Sequence, residues 1–169
     1  MAEKEHTIAY HVKTFFKNAK IKDIMTSPAR TIQVEESLSK ASEMFTTYGI
    51  SHLPVVDERN RLVGILSQKY LYKAISPRKF IEGELNPDPQ MVIDGDSYYW
   101  KDALDRYILR NIMQANPFTL SADDAVAQAV IHMAGRRIGC IPIIDQKREV
   151  KGILTNQEIV DFTSIILRE

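Results

Sequence analysis

The most constraining feature of this chain is that it contains its own copy. Residues 24–71 lie on residues 112–159 at a fixed shift of 88 without a gap, giving ten identities in 48 columns, where average composition would give about three. The identical pairs are Ile24/Ile112, Met25/Met113, Thr31/Thr119, Ala41/Ala129, Ile50/Ile138, Pro54/Pro142, Asp57/Asp145, Gly64/Gly152, Ile65/Ile153 and Leu66/Leu154. A unit of about 50 residues is too small to bury its hydrophobic face alone. Two copies are therefore expected to pack sheet to sheet about a pseudo-two-fold axis, leaving two equivalent grooves where they meet.

Each copy reads as β-α-β-β-α. A short extended piece, Arg30–Val34 or Phe118–Ala122, leads into a helix. Its apolar stripe is Leu38, Ala41, Phe45 and Tyr48 in one copy and Val126, Ala129, Val130 and Met133 in the other, the spacing of a helix with one buried side. Ser121 and Asp124 suggest a capping pair at the start of the second helix. Two apolar runs follow, Leu53–Val56 and Leu62–Leu66, matched by Ile141–Ile144 and Val150–Leu154. Each pair reads as a hairpin of buried strands, and a closing helix completes the unit. The fold class is α+β, with boundaries expected at 1–20 (N-terminal helix), 21–72 (first repeat), 73–108 (acidic insert and linking helix) and 109–169 (second repeat).

Composition narrows the function. With 22 Lys+Arg against 22 Asp+Glu the net charge is zero, whereas broad nucleic-acid binding needs an excess of cations. No uninterrupted apolar run approaches the length of a membrane span. A single cysteine, Cys140, makes no internal disulfide, and no leader-like segment is evident, so the expected location is the cytoplasm. The four histidines, at 6, 11, 52 and 132, form no zinc-spaced set, and no Walker or Rossmann glycine loop is present. The expectation is a protein that is not an enzyme and has no metal site.

Outside the repeats, Ile8, Val12, Phe15 and Phe16 fall at helical spacing among lysines, as expected of a helix packed on the repeats or on a dimer mate; a membrane surface is the other reading. Between the copies, Glu82, Glu84, Asp88, Asp94, Asp96, Asp102 and Asp105 suggest a solvated acidic face and lack calcium-loop spacing. Tyr98, Tyr99 and Trp100 either anchor the insert or stack on a ligand. Leu104, Tyr107, Ile108 and Ile112 read as a helical stripe into the second copy.

At the end of the second hairpin, Thr155-Asn156-Gln157-Glu158 has the spacing of a complete capping box. The first copy has Ser67-Gln68-Lys69-Tyr70 there and lacks the acid. The segments Ile-Met, Pro-x-Thr, GISHLPVVD…LVGILS and RIGCIPIID…VKGILT resemble a tandem pair of cystathionine-β-synthase (CBS) domains, the Bateman module. The resemblance covers about 100 of the 169 residues. One departure is that Pro28 lies three residues before Thr31, whereas Pro117 lies two before Thr119.

The resemblance implies a regulatory module that binds an adenine nucleotide (AMP, ADP or ATP) or another adenosyl compound in the cleft between repeats. Glu158 would grip the ribose diol beside Thr155, and the adenine would lie against Ile153 and the Thr119–Leu120 edge, near Cys140, Ile141 and Pro142. His52, Arg136 and Arg137 are candidates for phosphate, each with a plain structural alternative, and Cys140 is expected to be inert packing. The second groove, with Ser67, Tyr70, Thr31 and Ile32, is expected to be weaker because a phenol cannot accept a pair of ribose hydroxyls as a carboxylate can. The resemblance also implies a homodimer acting on a separate effector protein. A sensor of S-adenosylmethionine or NAD, or a ligand-free dimerisation scaffold, are the alternatives.

Overall fold

A computed structural model describes residues 10, 12–74, 78–79, 91–94, 97–100, 104–105 and 107–166. The elements are α1 (12–18), β1 (Ile32–Gln33), α2 (Leu38–Tyr48), β2 (His52–Val56), β3 (Leu62–Ser67), α3 (Gln68–Ala74), β4 (Arg78–Lys79), β5 (Met91–Asp94), β6 (Ser97–Trp100), α4 (Leu109–Ile112), β7 (Gln114–Ala115), α5 (Val126–Arg136), β8 (Cys140–Ile144), β9 (Val150–Thr155) and α6 (Asn156–Ile166). The four hairpin strands match the sequence expectation to within one residue. Among the described residues no helix is long and apolar enough to cross a membrane.

The chain divides into two compact units, and the division does not follow the repeat boundaries. One unit joins residues 1–29 and 60–62 to residues 117–169; the other joins 30–59 to 63–116. The segment leading into each repeat is thus packed with the other repeat.

In the unit formed around the first repeat, the sheet order is β1-β2-β3-β7. β1 runs parallel to β2, Ile32 opposite Val55, and β7 runs antiparallel to β3, Gln114 opposite Ile65. Ile32, Leu38, Ala41, Phe45, Leu53, Val55, Leu66, Leu104 and Leu109 form its core. Helix α2 starts where the Ser37 hydroxyl accepts the Lys40 N–H at 3.1 Å and ends at Gly49 with φ 61°. Tyr48 departs from the expected buried stripe: it is 45% exposed and carries the Arg30 guanidinium 4.4 Å from its ring centre. The expected stripe before the second repeat is likewise interrupted. Ile108 is extended and bridges Ser37, so Leu104 and Leu109 enter the core while Tyr107 and Ile108 face solvent.

The insert contributes β4-β6-β5, an antiparallel sheet where the sequence suggests a solvated acidic face. Tyr98, Tyr99 and Trp100 lie on β6, paired with β5. Glu82, Glu84, Asp88, Asp96 and Asp102 lie outside the described residues, as does Ile8.

In the unit formed around the second repeat, β8 and β9 pair antiparallel, with Cys140 opposite Thr155 and Pro142 opposite Ile153. Leu120 bridges Ile143 in parallel, and Thr26 bridges Ile153 antiparallel. These two bridges are the first unit's Ile32–Val55 and Gln114–Ile65 pairings shifted by 88 residues, so the duplication extends to the register of the flanking segments. The core comprises Ile21, Leu120, Ala129, Met133, Ile141, Ile143 and Leu154. Here the expected Ser121–Asp124 cap is displaced. Asp124 accepts the Ser121 N–H at 2.7 Å to close a turn, and α5 begins only after Ala125, which offers no side-chain cap. Helix α1 meets α6 through aromatic contacts: Phe15 stacks on Phe162 at 5.3 Å between centroids and Phe16 meets it edge-on at 5.7 Å. Val12 is left exposed.

Two glycines allow the leading segments to reach the strands. A Cβ on Gly152 would lie 2.6 Å from the Met25 sulfur and 3.0 Å from the Thr26 carbonyl; one on Gly64 would lie 2.5 Å from the Met113 sulfur and 3.1 Å from the Gln114 carbonyl. Both glycines and both methionines are identical pairs of the repeat. Gly152→Ala and Gly64→Ala are each expected to destabilise the protein by about 1–3 kcal/mol, the usual cost of overpacking. Gly135→Ala, with nothing within 4 Å of the added carbon, is expected to stabilise by about 0.5–1 kcal/mol in helix α5. Urea unfolding of the three variants checks both signs.

Candidate functional site

The candidate site is at the junction of β9 and α6. Thr155 ends the strand, and its hydroxyl accepts the Gln157 N–H at 3.1 Å while its own N–H donates to Glu158 Oε2 at 2.8 Å. This is the capping box expected from the sequence, satisfying donors that a helix start leaves open. The Thr155 hydroxyl also donates to Glu158 Oε2. The other carboxylate oxygen, Oε1, accepts the Thr26 hydroxyl at 2.7 Å. Thr26 reaches it because its backbone is bonded to Ile153 in both directions, N–H to carbonyl at 3.0 Å each way.

Partial burial is the largest single influence on Glu158 and raises its pKa. The hydrogen bonds from Thr155 and Thr26 together outweigh it, so the carboxyl titrates below its ordinary value. The group is an anion at neutral pH, half-buried, at the start of an eleven-residue helix. Such a carboxylate can accept from neighbouring hydroxyls, a chemistry suited to a diol.

Alternation along the strands sorts the other candidates. Cys140, Pro142, Ile153 and Thr155 share the register of the β8–β9 hairpin. Ile141 is fully buried and Leu120, at 6% exposure, packs in the same core; Ile32, in the other unit, is 3% exposed in its own core. Cys140 at 7% and Ile153 at 8% exposure are buried in the same hairpin. Thr119 is half-buried beside Leu120. Burial first, and then the Glu158 charge, push the Cys140 thiol far above its ordinary pKa, so it is no nucleophile.

The phosphate candidates diverge. The Arg136 guanidinium sits 4.6 Å from the Phe118 ring centre, a cation–π contact. Arg137 occupies the left-handed C-cap of α5, φ 54°, at the position where the first repeat has Gly49. It lines a groove of about 430 Å³ with Val130, Met133, Ala134, Ile138, Gly139, Asn156 and Ile159. His52 belongs to the other unit, half-buried, with Nδ1 3.1 Å from the Ser51 hydroxyl. Burial, and secondarily Lys69, lower its pKa, so it carries no charge at pH 7.

The first repeat's counterpart site is chemically different. Ser67 is buried, Tyr70 packs against the core, and the Lys69 ammonium lies 5.8 Å from the Tyr70 ring centre. Thr31, half-buried, precedes Ile32 on β1. The position matching Thr26 is Gln114. Thr26 itself escaped the sequence reading, since nothing in spacing connects residues 26 and 158. The available signal was Gly152, which implied that some backbone approaches β9.

With this geometry in hand, the likeness to known proteins is specific. The CBS domain family model matches residues 21–77 and 109–164, together well over half of the chain. The chain belongs to the CBS domain family, and with two copies it is a CBS domain pair, a regulatory ligand-binding class of module rather than a catalytic one.

The CBS domain pair of protein MJ0100, solved with 5′-methylthioadenosine and S-adenosyl-L-methionine, is 25% identical, with a TM-score of 0.66 over 86% of this chain and 96% of that one. CBSX2, solved with AMP, is 20% identical, with a TM-score of 0.67 over 88% of this chain and 98% of that one, a likeness of fold. L-aspartate semialdehyde sulfurtransferase of Methanocaldococcus jannaschii is 27% identical over 82% of this chain and 22% of that protein. Homoserine O-acetyltransferase of Methanococcus vannielii is 25% identical over 94% of this chain and 27% of that protein. This chain spans about a quarter of the length of these curated relatives, and the reactions in their names belong to those whole proteins.

Because the folded-state pKa of Glu158 is depressed, its stabilising contribution is full above its unfolded value of about 4.5 and is lost as pH falls through the folded value. Glu158→Gln is therefore expected to be less stable than wild type at neutral pH, the two converging as the solution is acidified below about pH 4.5; urea titrations across pH check this. Cys140 is expected to resist iodoacetamide in the native protein and to react completely in urea.

Proposed function

We propose that this chain is a non-catalytic sensor of an adenosyl compound, bound through its ribose at Glu158. The observation that carries the reading is the ionised Glu158 carboxylate at the start of α6, ringed by the Thr155 and Thr26 hydroxyls. A diol can replace hydroxyl donors of the same kind with little change in geometry. The ligands of the MJ0100 pair share an adenosine moiety, which supports an adenosyl group as the common element. AMP, ADP, ATP, S-adenosylmethionine, 5′-methylthioadenosine and NAD all carry it. Thr155, Ile153, Thr119, Cys140 and Pro142 would surround the nucleoside, with Arg136 or Arg137 serving a phosphorylated ligand. The Ser67/Tyr70 groove would bind it weakly or not at all.

The partner in this reading is a second copy of the chain, with signalling to a separate effector in the cytoplasm. The solvent-facing Ile131 on α5 and Val160 and Ile165 on α6 are apolar surface of the kind a dimer covers.

Calorimetric titration with the six ligands tests the function. At least one is expected to bind. Glu158→Gln is expected to weaken it by about ten-fold or more, the effect of losing charge-assisted hydrogen bonds, and Tyr70→Ala to leave it unchanged. If none of the six binds wild type, the sensor reading fails and the ligand-free scaffold takes its place.

A further inference from the structure

We propose that the Thr26 hydroxyl is a built-in competitor for the ligand at Glu158, coupling occupancy of the site to the leading segment 20–27. This rests on the nucleoside reading above and concerns how that site is regulated.

Glu158 offers two oxygens, and they are held differently. Oε2 is bound by the N–H and O–H of Thr155, which lies three residues away at the same strand–helix junction. Oε1 is bound by Thr26 at 2.7 Å, from 132 residues away. A ligand hydroxyl that displaced Thr155 would dismantle the capping box and leave the start of α6 unsatisfied. One that displaced Thr26 would leave the box intact and free an exposed hydroxyl, which water can solvate. Oε1 is therefore the oxygen open to exchange.

The same contact is one of the places, among the described residues, where the N-terminal region is tied to α6. Another is Phe162, one turn beyond Glu158, on which Phe15 and Phe16 pack. Between them the backbone runs along the second repeat, Lys22 N–H to the Ala122 carbonyl at 2.9 Å and Ile21 N–H to the Asp124 carbonyl at 3.0 Å. Displacing Thr26 removes one tie and keeps the rest, so ligand and leading segment compete for a single hydrogen bond. By linkage the effect is reciprocal: whatever tightens the segment on β9 weakens the ligand.

The test uses the full chain, with 5′-methylthioadenosine as the probe, since it carries the diol and no charged tail. Thr26→Val keeps the side-chain shape and loses the donor; it is expected to tighten binding by about five-fold, the worth of one hydrogen bond. Thr26→Ser keeps the donor and is expected to match wild type. Hydrogen exchange at the Thr26 and Ile153 amides is expected to quicken on ligand saturation in wild type and to be unresponsive in Thr26→Val. Should the valine variant not fold, Thr26→Ala serves the same comparison. If wild type binds the probe and the donor-less variant binds it equally or more weakly, the competitor role is overturned while the nucleoside reading stands. If neither wild type nor the variants bind, both fall together.

Discussion

The approach of the leading segment to β9 is the contact on which the second-repeat unit depends. It needs a strand residue without a side chain, and Gly152 is that residue: the Met25 sulfur and the Thr26 carbonyl occupy the space a Cβ would take. Once the chain is that close, Thr26 pairs with Ile153 and its hydroxyl falls on Glu158. The hydrophobic and polar parts of the junction thus share one cause. A methionine suits the crossing because its unbranched thioether fills an irregular gap that a β-branched residue could not.

The duplication repeats this backbone arrangement and discards its chemistry. Gly64, Met113 and the pairing of Gln114 with Ile65 reproduce the crossing in the first-repeat unit. Yet the acid is Tyr70, the hydroxyl donor is Gln114, and Ser67 is buried. Selection for packing and selection for a site act on different atoms, so a scaffold can be preserved while only one of its two positions keeps a carboxylate.

Most of the fold was legible because the repeat supplied two independent readings of each element. The runs at Leu53–Val56 and Ile141–Ile144 are apolar at matching positions, and the hairpins are found where they fall. Errors arose where the copies differ or where only one exists. The Ser121–Asp124 turn mimics a cap, because an acid three residues after a serine can close a turn before a helix as readily as it can start one. The β5–β6 pairing is signalled by two short β-prone runs on either side of Gly95-Asp96, within a stretch whose acidic residues read as a solvated face. At the site, Thr155 and Glu158 were legible because their relation is local. Thr26 was not, since its relation to Glu158 is set by which repeat the leading segment packs on, and periodicity does not report that.

The geometry also bounds how strongly such a site can signal. Glu158 serves the helix cap through Oε2 and the proposed ligand through Oε1, so α6 keeps its start whether or not the ligand is present. A bound nucleoside then exchanges one hydroxyl donor for another and leaves the core of Ile21, Ile141, Ile143 and Leu154 untouched. Moving a two-state equilibrium from one extreme to the other takes a differential affinity of about 10⁴, far more than a single hydrogen bond provides. The local response is therefore graded. A sharp switch requires a second surface whose fit depends on the leading segment.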